Sequence, residues 1–205
     1  MLAGLKAVAT ALLLWTAVHP VAAIAGSFED GEAAFRHKDY ETAMALWKPL
    51  AAAGHAGALV DVATLYYGGL GVVRDYRQAY VYLSKASEMG DPQAHYLLAA
   101  LYRDGTGVER DQGKALALFR KAAEKDVPGA QYDLGLMYFL GNGGPADYGE
   151  AFYWFGLASK AAGKEHAQLR ATADYMQDHA EAKLSREEAA ELRDRITARP
   201  TMQSR

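Results

Sequence analysis

The chain has 205 residues, 51% of them hydrophobic, and a formal net charge of -3 at neutral pH. That mild acidic balance excludes the basic face a nucleic-acid binder carries. The absence of cysteine excludes disulfides, thiolate metal sites, a cysteine nucleophile and a lipid-modified N-terminal cysteine.

Residues 1–25 differ from the rest. Lys6 gives a weakly positive start, Ala7 to Val18 is almost unbroken apolar sequence, and His19-Pro20 interrupts it before a run of small residues. Ala23-Ile24-Ala25 fits the small-x-small pattern that a signal peptidase accepts, and Val21-Ala22-Ala23 is a second possible cut. The segment is expected to be a cleaved export signal, placing the mature protein in the periplasm or outside the cell. The alternatives are an uncleaved anchor and a buried first helix. The apolar run is short for a spanning helix, so no stable membrane insertion is expected after cleavage. No paired arginines occur, which favours a general export route over a twin-arginine one.

From residue 26 to residue 55 the pattern predicts a shortened helix pair. Its first helix covers about Ser27 to Arg36, His37-Lys38 makes a tight turn, and Asp39 starts the second helix.

Residues 56–163 then repeat with a shift of 36. Tyr66, Gly69, Gly71, Val72, Asp75, Ala79 and Ala86 recur as Tyr102, Gly105, Gly107, Val108, Asp111, Ala115 and Ala122. A third pass gives Tyr138, Gly141, Gly143, Asp147, Ala151 and Ala158. Such a period marks a stacked architecture in which each unit buries its apolar face against its neighbours. Asp39-Tyr40, Ala43, Leu46-Trp47 and Gly54 align with Asp75-Tyr76, Ala79, Tyr82-Leu83 and Gly90, so the shortened pair is the terminal unit.

One unit, Gly90 to Val127, shows the grammar. Asp91-Pro92 starts helix A, because Asp accepts bonds from free first-turn amides and Pro has no amide hydrogen to leave unpaired. Ala94, Leu98, Leu101 and Tyr102 return at helical spacing until Gly105 and Gly107 stop the helix. Asp111 caps helix B, whose stripe is Ala115, Leu118, Phe119 and Ala122. The small residues Ala79, Ala115 and Ala151 mark where helix B approaches helix A.

The period lapses after residue 163. Over residues 164–199 two capping helices are expected, the second starting at the capping-box pair Ser185 and Glu188 and burying Ala189, Leu192 and Ile196. Residues 200–205 are expected to fray.

The motif Ala58-Val62-Ala63-Tyr66-Gly69-Gly71-Val72-Asp75-Ala79, repeated as Ala94-Leu98-Ala99-Tyr102-Gly105-Gly107-Val108-Asp111-Ala115, resembles the Sel-one-like repeat, a relative of the tetratricopeptide repeat. Ala130-Leu134-Gly135-Tyr138-Gly141-Gly143-Asp147-Ala151 matches too, with Gly144-Pro145 departing from the family pattern. The resemblance implies an all-α, right-handed superhelical solenoid of antiparallel helix pairs. It also implies a role in holding proteins together or recruiting a partner. Family members occur in exported bacterial proteins and in adaptors of degradation and signalling complexes. The motif residues are structural, so no catalytic position carries over.

The residues themselves suggest little chemistry. Gly69-Leu70-Gly71 and Gly105-Thr106-Gly107 lack the Lys and Ser/Thr of a phosphate-binding loop and join two helices. The six histidines form no i, i+4 pair or H-E-x-x-H arrangement, and no G-x-S-x-G elbow occurs. No cofactor or metal is expected, and a non-enzymatic role is.

The remaining candidate is a binding face, since first helices line the concave side of such a stack. Taking Tyr66, Tyr102 and Tyr138 as buried references, the outward strip is Asp61, Thr64, Leu97, Ala100, Arg103, Asp133, Leu136 and Phe139. Its mixed composition suits an extended peptide or a helix. The competing reading buries Leu97, Leu136 and Phe139 against the next unit or the C-terminal helices. The leading function is thus a protein-protein interaction scaffold or adaptor in the bacterial cell envelope, binding a protein or peptide. The alternatives are an envelope hydrolase acting on wall peptide or glycan, and a structural or regulatory part of a secretion or polysaccharide assembly.

Overall fold

The computed structural model describes residues 21–163 and 166–200. They form ten helices in chain order: α1 (Val21–Arg36), α2 (Tyr40–Ala52), α3 (Ala56–Gly68), α4 (Tyr76–Glu88), α5 (Pro92–Asp104), α6 (Gln112–Ala123), α7 (Pro128–Leu140), α8 (Tyr148–Ala161), α9 (Ala167–Glu181) and α10 (Arg186–Ala198). There is no strand among the described residues. Through α9 each helix packs chiefly on its neighbours in sequence, and the whole is an all-α solenoid of antiparallel helix pairs.

Most of the expected export signal, residues 1–20, lies outside the described residues, and both candidate cleavage sites fall within α1. Among the described residues that helix already runs from Val21, six residues before the expected Ser27. Alanines at 22, 23 and 25 are strong helix formers and extend it.

The caps explain where the helices start. Asp39, Asp75, Asp111 and Asp147 each precede a second helix and accept a backbone N–H of its first turn. The first helices vary at the same place. Asp91 accepts from Ala94 N at 2.8 Å and His55 accepts through Nδ1 from Ala58 N at 3.1 Å, whereas Val127 supplies no side-chain cap and relies on Pro128.

The paired glycines perform two different tasks. Gly69, Gly105 and Gly141 end the first helices in the left-handed region, with φ of 67°, 70° and 70°. The second glycine is where one unit meets the unit before it. A Cβ on Gly71 would lie 2.8 Å from Tyr40, one on Gly107 would lie 2.5 Å from the Tyr76 carbonyl oxygen, and one on Gly143 would lie 2.7 Å from the Gln112 carbonyl oxygen. Tyr40, Tyr76 and Gln112 are themselves 36 residues apart, each at the start of a second helix. The loop containing Gly144-Pro145 keeps both glycine conformations, so its departure from the motif leaves the joint intact. Each loop also closes on itself, as Asp75, Asp111 and Asp147 N–H groups donate to the carbonyls of Tyr66, Tyr102 and Tyr138 at 2.9 to 3.0 Å.

Small residues set the distance between layers. Ala79, Ala115 and Ala151 are fully buried, as are Ala58, Ala94 and Ala130, and larger partners such as Trp47, Phe119 and Phe155 fill the space between helices. Gly135 stands where Ala99 and Ala63 stand one and two periods earlier, because a Cβ there would come 2.9 Å from the Phe155 ring.

At the C-terminal end α9 packs on α8, and α10 returns to α8 as well. Gly156 permits this double approach, since a Cβ would meet Ile196 at 2.5 Å and Gln177 at 2.6 Å. The Lys160 ammonium then donates to the carbonyls of Ile196, Thr197 and Arg199 at 2.7 to 3.1 Å, where the helix dipole favours a cation. Among the described residues no helix is long and apolar enough to cross a membrane.

Candidate functional site

The outward positions of α3, α5 and α7 form three columns at the period of the repeat. The first holds Asp61, Leu97 and Asp133, the second Thr64, Ala100 and Leu136, and the third Tyr67, Arg103 and Phe139. All eight residues of the expected strip are half-buried. Tyr67 completes the third column and is 47% exposed. The shift itself points to it, since it lies 36 residues before Arg103 and 72 before Phe139. The reference tyrosines Tyr66, Tyr102 and Tyr138 are half-buried rather than buried. The Tyr102 hydroxyl meets that of Tyr80 at 3.1 Å, and Arg120 bonds the Tyr138 hydroxyl.

The structure brings Thr64, Leu97 and Ala100 together around a slot of about 140 Å³ between α3 and α5. Tyr67 and Tyr96 wall it, and Ala63, Leu83 and Leu101 make its floor. Thr64 directs its hydroxyl back to the Val60 carbonyl at 3.0 Å, so the polar atom is satisfied within its own helix. The lining is accordingly almost wholly apolar. Tyr96 was not in the expected strip, because its position one residue before Leu97 aims it toward α6, where it packs on Phe119 at 5.9 Å.

Arg103 and Asp133 form a second group. The Arg103 guanidinium donates to Asp104 Oδ1 at 2.8 Å and reaches Asp133 Oδ1 at 3.2 Å, bridging α5 and α7, and it also lies over the Phe119 ring. The Tyr96 hydroxyl lies near the Asp133 carboxylate as well. Burial pushes Asp133 up from the ordinary carboxylate range, and the guanidinium opposes it. Burial pushes Tyr96 up too, with the Asp133 charge adding to it. Arg103 is therefore committed within the protein.

Leu136 and Phe139 lie apart from the slot and pack on the second half of the core. Phe139 stands edge-on to Tyr148 at 5.5 Å, as Tyr67 does to Tyr76 at 5.3 Å. The middle unit replaces this ring pair with a hydrogen bond from Gln112 Nε2 to the Arg103 carbonyl at 2.9 Å.

Asp61 is different from its period-mate Asp133. Burial, then Glu32, then Asp91 raise its carboxyl to about 6. Among the described residues no ion pair joins Asp61 or Glu32 to a cation.

Two polar groups lie between adjacent units behind this face. His95 is buried in the first turn of α5 beside Ser87 at the end of α4, and its Nδ1 has no hydrogen-bond partner. Gln131, 36 residues later, donates to the Ala123 carbonyl at 3.1 Å, the period-mate of Ser87. Leu59 holds the corresponding place in α3. Burial, aided by Lys121, lowers the proton affinity of His95. Among the described residues no three His, Asp or Glu side chains are placed to hold a metal ion.

The sequence model of a family described as Sel1 repeat matches residues 26–55, 56–91, 92–127 and 128–162. Those boundaries separate the helix pairs α1/α2, α3/α4, α5/α6 and α7/α8. Among solved structures, the chain is 30% identical to a Sel1 repeat protein from Oxalobacter formigenes, with a TM-score of 0.63, over 68% of this chain and 57% of that one. A protective antigen present in uropathogenic Escherichia coli strains and displaying an SLR fold is 21% identical, with a TM-score of 0.55, over 84% of this chain and 45% of that one. The second likeness concerns the fold alone. This chain thus spans about half the length of these structural relatives. No curated protein matches the chain in sequence.

Proposed function

The chain belongs to the Sel1 repeat family, and on that premise we propose that it is an adaptor of the bacterial cell envelope that binds a protein or peptide on the face of α3, α5 and α7. Sel1 repeat proteins are generally protein-interaction scaffolds, and the fold is typically non-catalytic. The observation that carries the reading is the slot beside Tyr67. An apolar opening walled by two tyrosines, on the outward face of the first helices, is the composition that interface centres favour. The N-terminal small-x-small sequence supports an exported location.

The test is site-specific photo-crosslinking in cells with benzoylphenylalanine at Tyr67 on α3 or at Val81 on α4. Both positions are exposed, at 47% and 41%. A discrete crosslinked partner from Tyr67 and none from Val81 is expected, with the adduct recovered from the envelope fraction. Equal crosslinking from both positions would remove the proposed face. Recovery of the adduct only from the cytosol would remove the proposed location.

A further inference from the structure

The slot between α3 and α5 does not stand alone on its surface. One helical turn before Thr64, on the same face of α3, lies Asp61, with Glu32 of α1 and Asp91 at the start of α5 close enough to act on its charge. We infer that this site takes a peptide segment in which an apolar side chain fills the slot while a Lys or Arg one or two residues away pairs with Asp61. The inference rests on the reading of this face as the binding surface and specifies the chemistry of the partner.

Two observations carry it. The slot volume of about 140 Å³ is close to that of the apolar cavity of about 150 Å³ that admits benzene, so it suits one side chain of the size of Leu, Met or Phe. Its Thr64 hydroxyl is already bonded to Val60, and apart from the Tyr67 and Tyr96 hydroxyls the rest of the lining is apolar. The charge pattern beside it has one sign. Asp133, at the same register two units on, receives a guanidinium from Arg103 at 3.2 Å, but no cation among the described residues pairs with Asp61. A half-buried carboxylate flanked by two more is relieved by an external cation and opposed by an external anion. Three residues of α3 separate Asp61 from Thr64, a rise of about 4.5 Å, and an extended peptide covers that distance in about one to two residues.

The experiment is a titration of the isotopically labelled full chain, followed by amide NMR at neutral pH and low ionic strength. Three peptides of Gly and Ser differ only at the centre: Lys-Leu-Lys, Glu-Leu-Glu and Lys-Gly-Lys. Lys-Leu-Lys is expected to shift the amides of Thr64, Leu97 and Ala100, with the other two binding at least tenfold more weakly. Asp61→Asn should abolish the preference for lysine over glutamate, and Asp61→Lys should reverse it. Ala100→Phe, which fills the slot, should make Lys-Leu-Lys no better than Lys-Gly-Lys. Equal binding of Lys-Leu-Lys and Glu-Leu-Glu, an unchanged order in Asp61→Asn, or no shift at the slot with any peptide would each overturn the inference. If crosslinking from Tyr67 still captures a partner in that event, only the assigned chemistry fails. If it does not, the binding face fails with it.

Discussion

Replacing Gly107 by alanine should be one of the most damaging single-methyl changes in the molecule. Its φ of 74° lies in the left-handed region, where a side chain costs about 1 to 2 kcal/mol. The new Cβ would also lie 2.5 Å from the Tyr76 carbonyl oxygen and 2.6 Å from its carbon. Those atoms belong to backbone at the start of α4 and cannot swing away, so overpacking adds about 1 to 3 kcal/mol. Gly90 isolates the first contribution, having a φ of 83° with nothing within 4 Å of its Cβ position. Gly90→Ala is therefore expected to cost about 1 to 2 kcal/mol and Gly107→Ala about 2 to 5 kcal/mol. Urea unfolding followed by helical circular dichroism, with slopes compared before midpoints are interpreted, measures the difference. If the two variants unfold at the same urea concentration, the second glycine is not the contact between units and the reasoning fails.

Ala115→Leu should lose about 1 to 3 kcal/mol from the fully buried junction of α5 and α6, which a thermal scan detects. Two groups set opposing acid responses. Asp61, at about 6 against an ordinary 3.8, binds its proton more tightly when folded, so its ionised form costs stability above that window and the cost is relieved as pH falls through it. Asp61→Asn is expected to gain about 1 to 2 kcal/mol at pH 8, after allowance for solvent screening, and to lose that advantage near pH 4. His95 is the reverse case. Its folded proton affinity is lowered, so its contribution is present above 6.5 and is lost as pH falls below it. His95→Gln, copying Gln131, should flatten that loss in unfolding curves taken between pH 7 and pH 5. Lys160→Met should release the end of α10 by about 2 kcal/mol, seen as roughly thirtyfold faster hydrogen exchange there with α3 and α5 unchanged.

The repeat was legible because its determinants are local. Asp at a cap, glycine at positive φ and alanine at a close approach each act over a few residues, and the 36-residue shift repeats them in register. The outward positions follow from the same spacing, which also points to Tyr67, a residue left out of the expected strip. What those positions touch was not. Arg103 reads as an outward cation in its own helix, yet it is held by Asp133 from the next unit, 30 residues away. Leu97 and Phe139 read alike as exposed hydrophobes. One walls the slot, and the other lies against Tyr148 in its own unit. The helical turn before Ser27 was missed for a different reason, since helix propensity continues through residues that also fit a peptidase site.

The chain by itself therefore determined the solenoid, its unit boundaries and the faces of its helices, because turn chemistry and helical periodicity depend only on spacing along the backbone. Tertiary structure alone decided which half of the outward strip became an apolar slot and which became an ion pair. It also placed Glu32 and Asp91 beside Asp61 and turned α10 back onto α8 at Gly156. Those outcomes depend on how far one unit is rotated and displaced from the next, a quantity set by the packing of many side chains together.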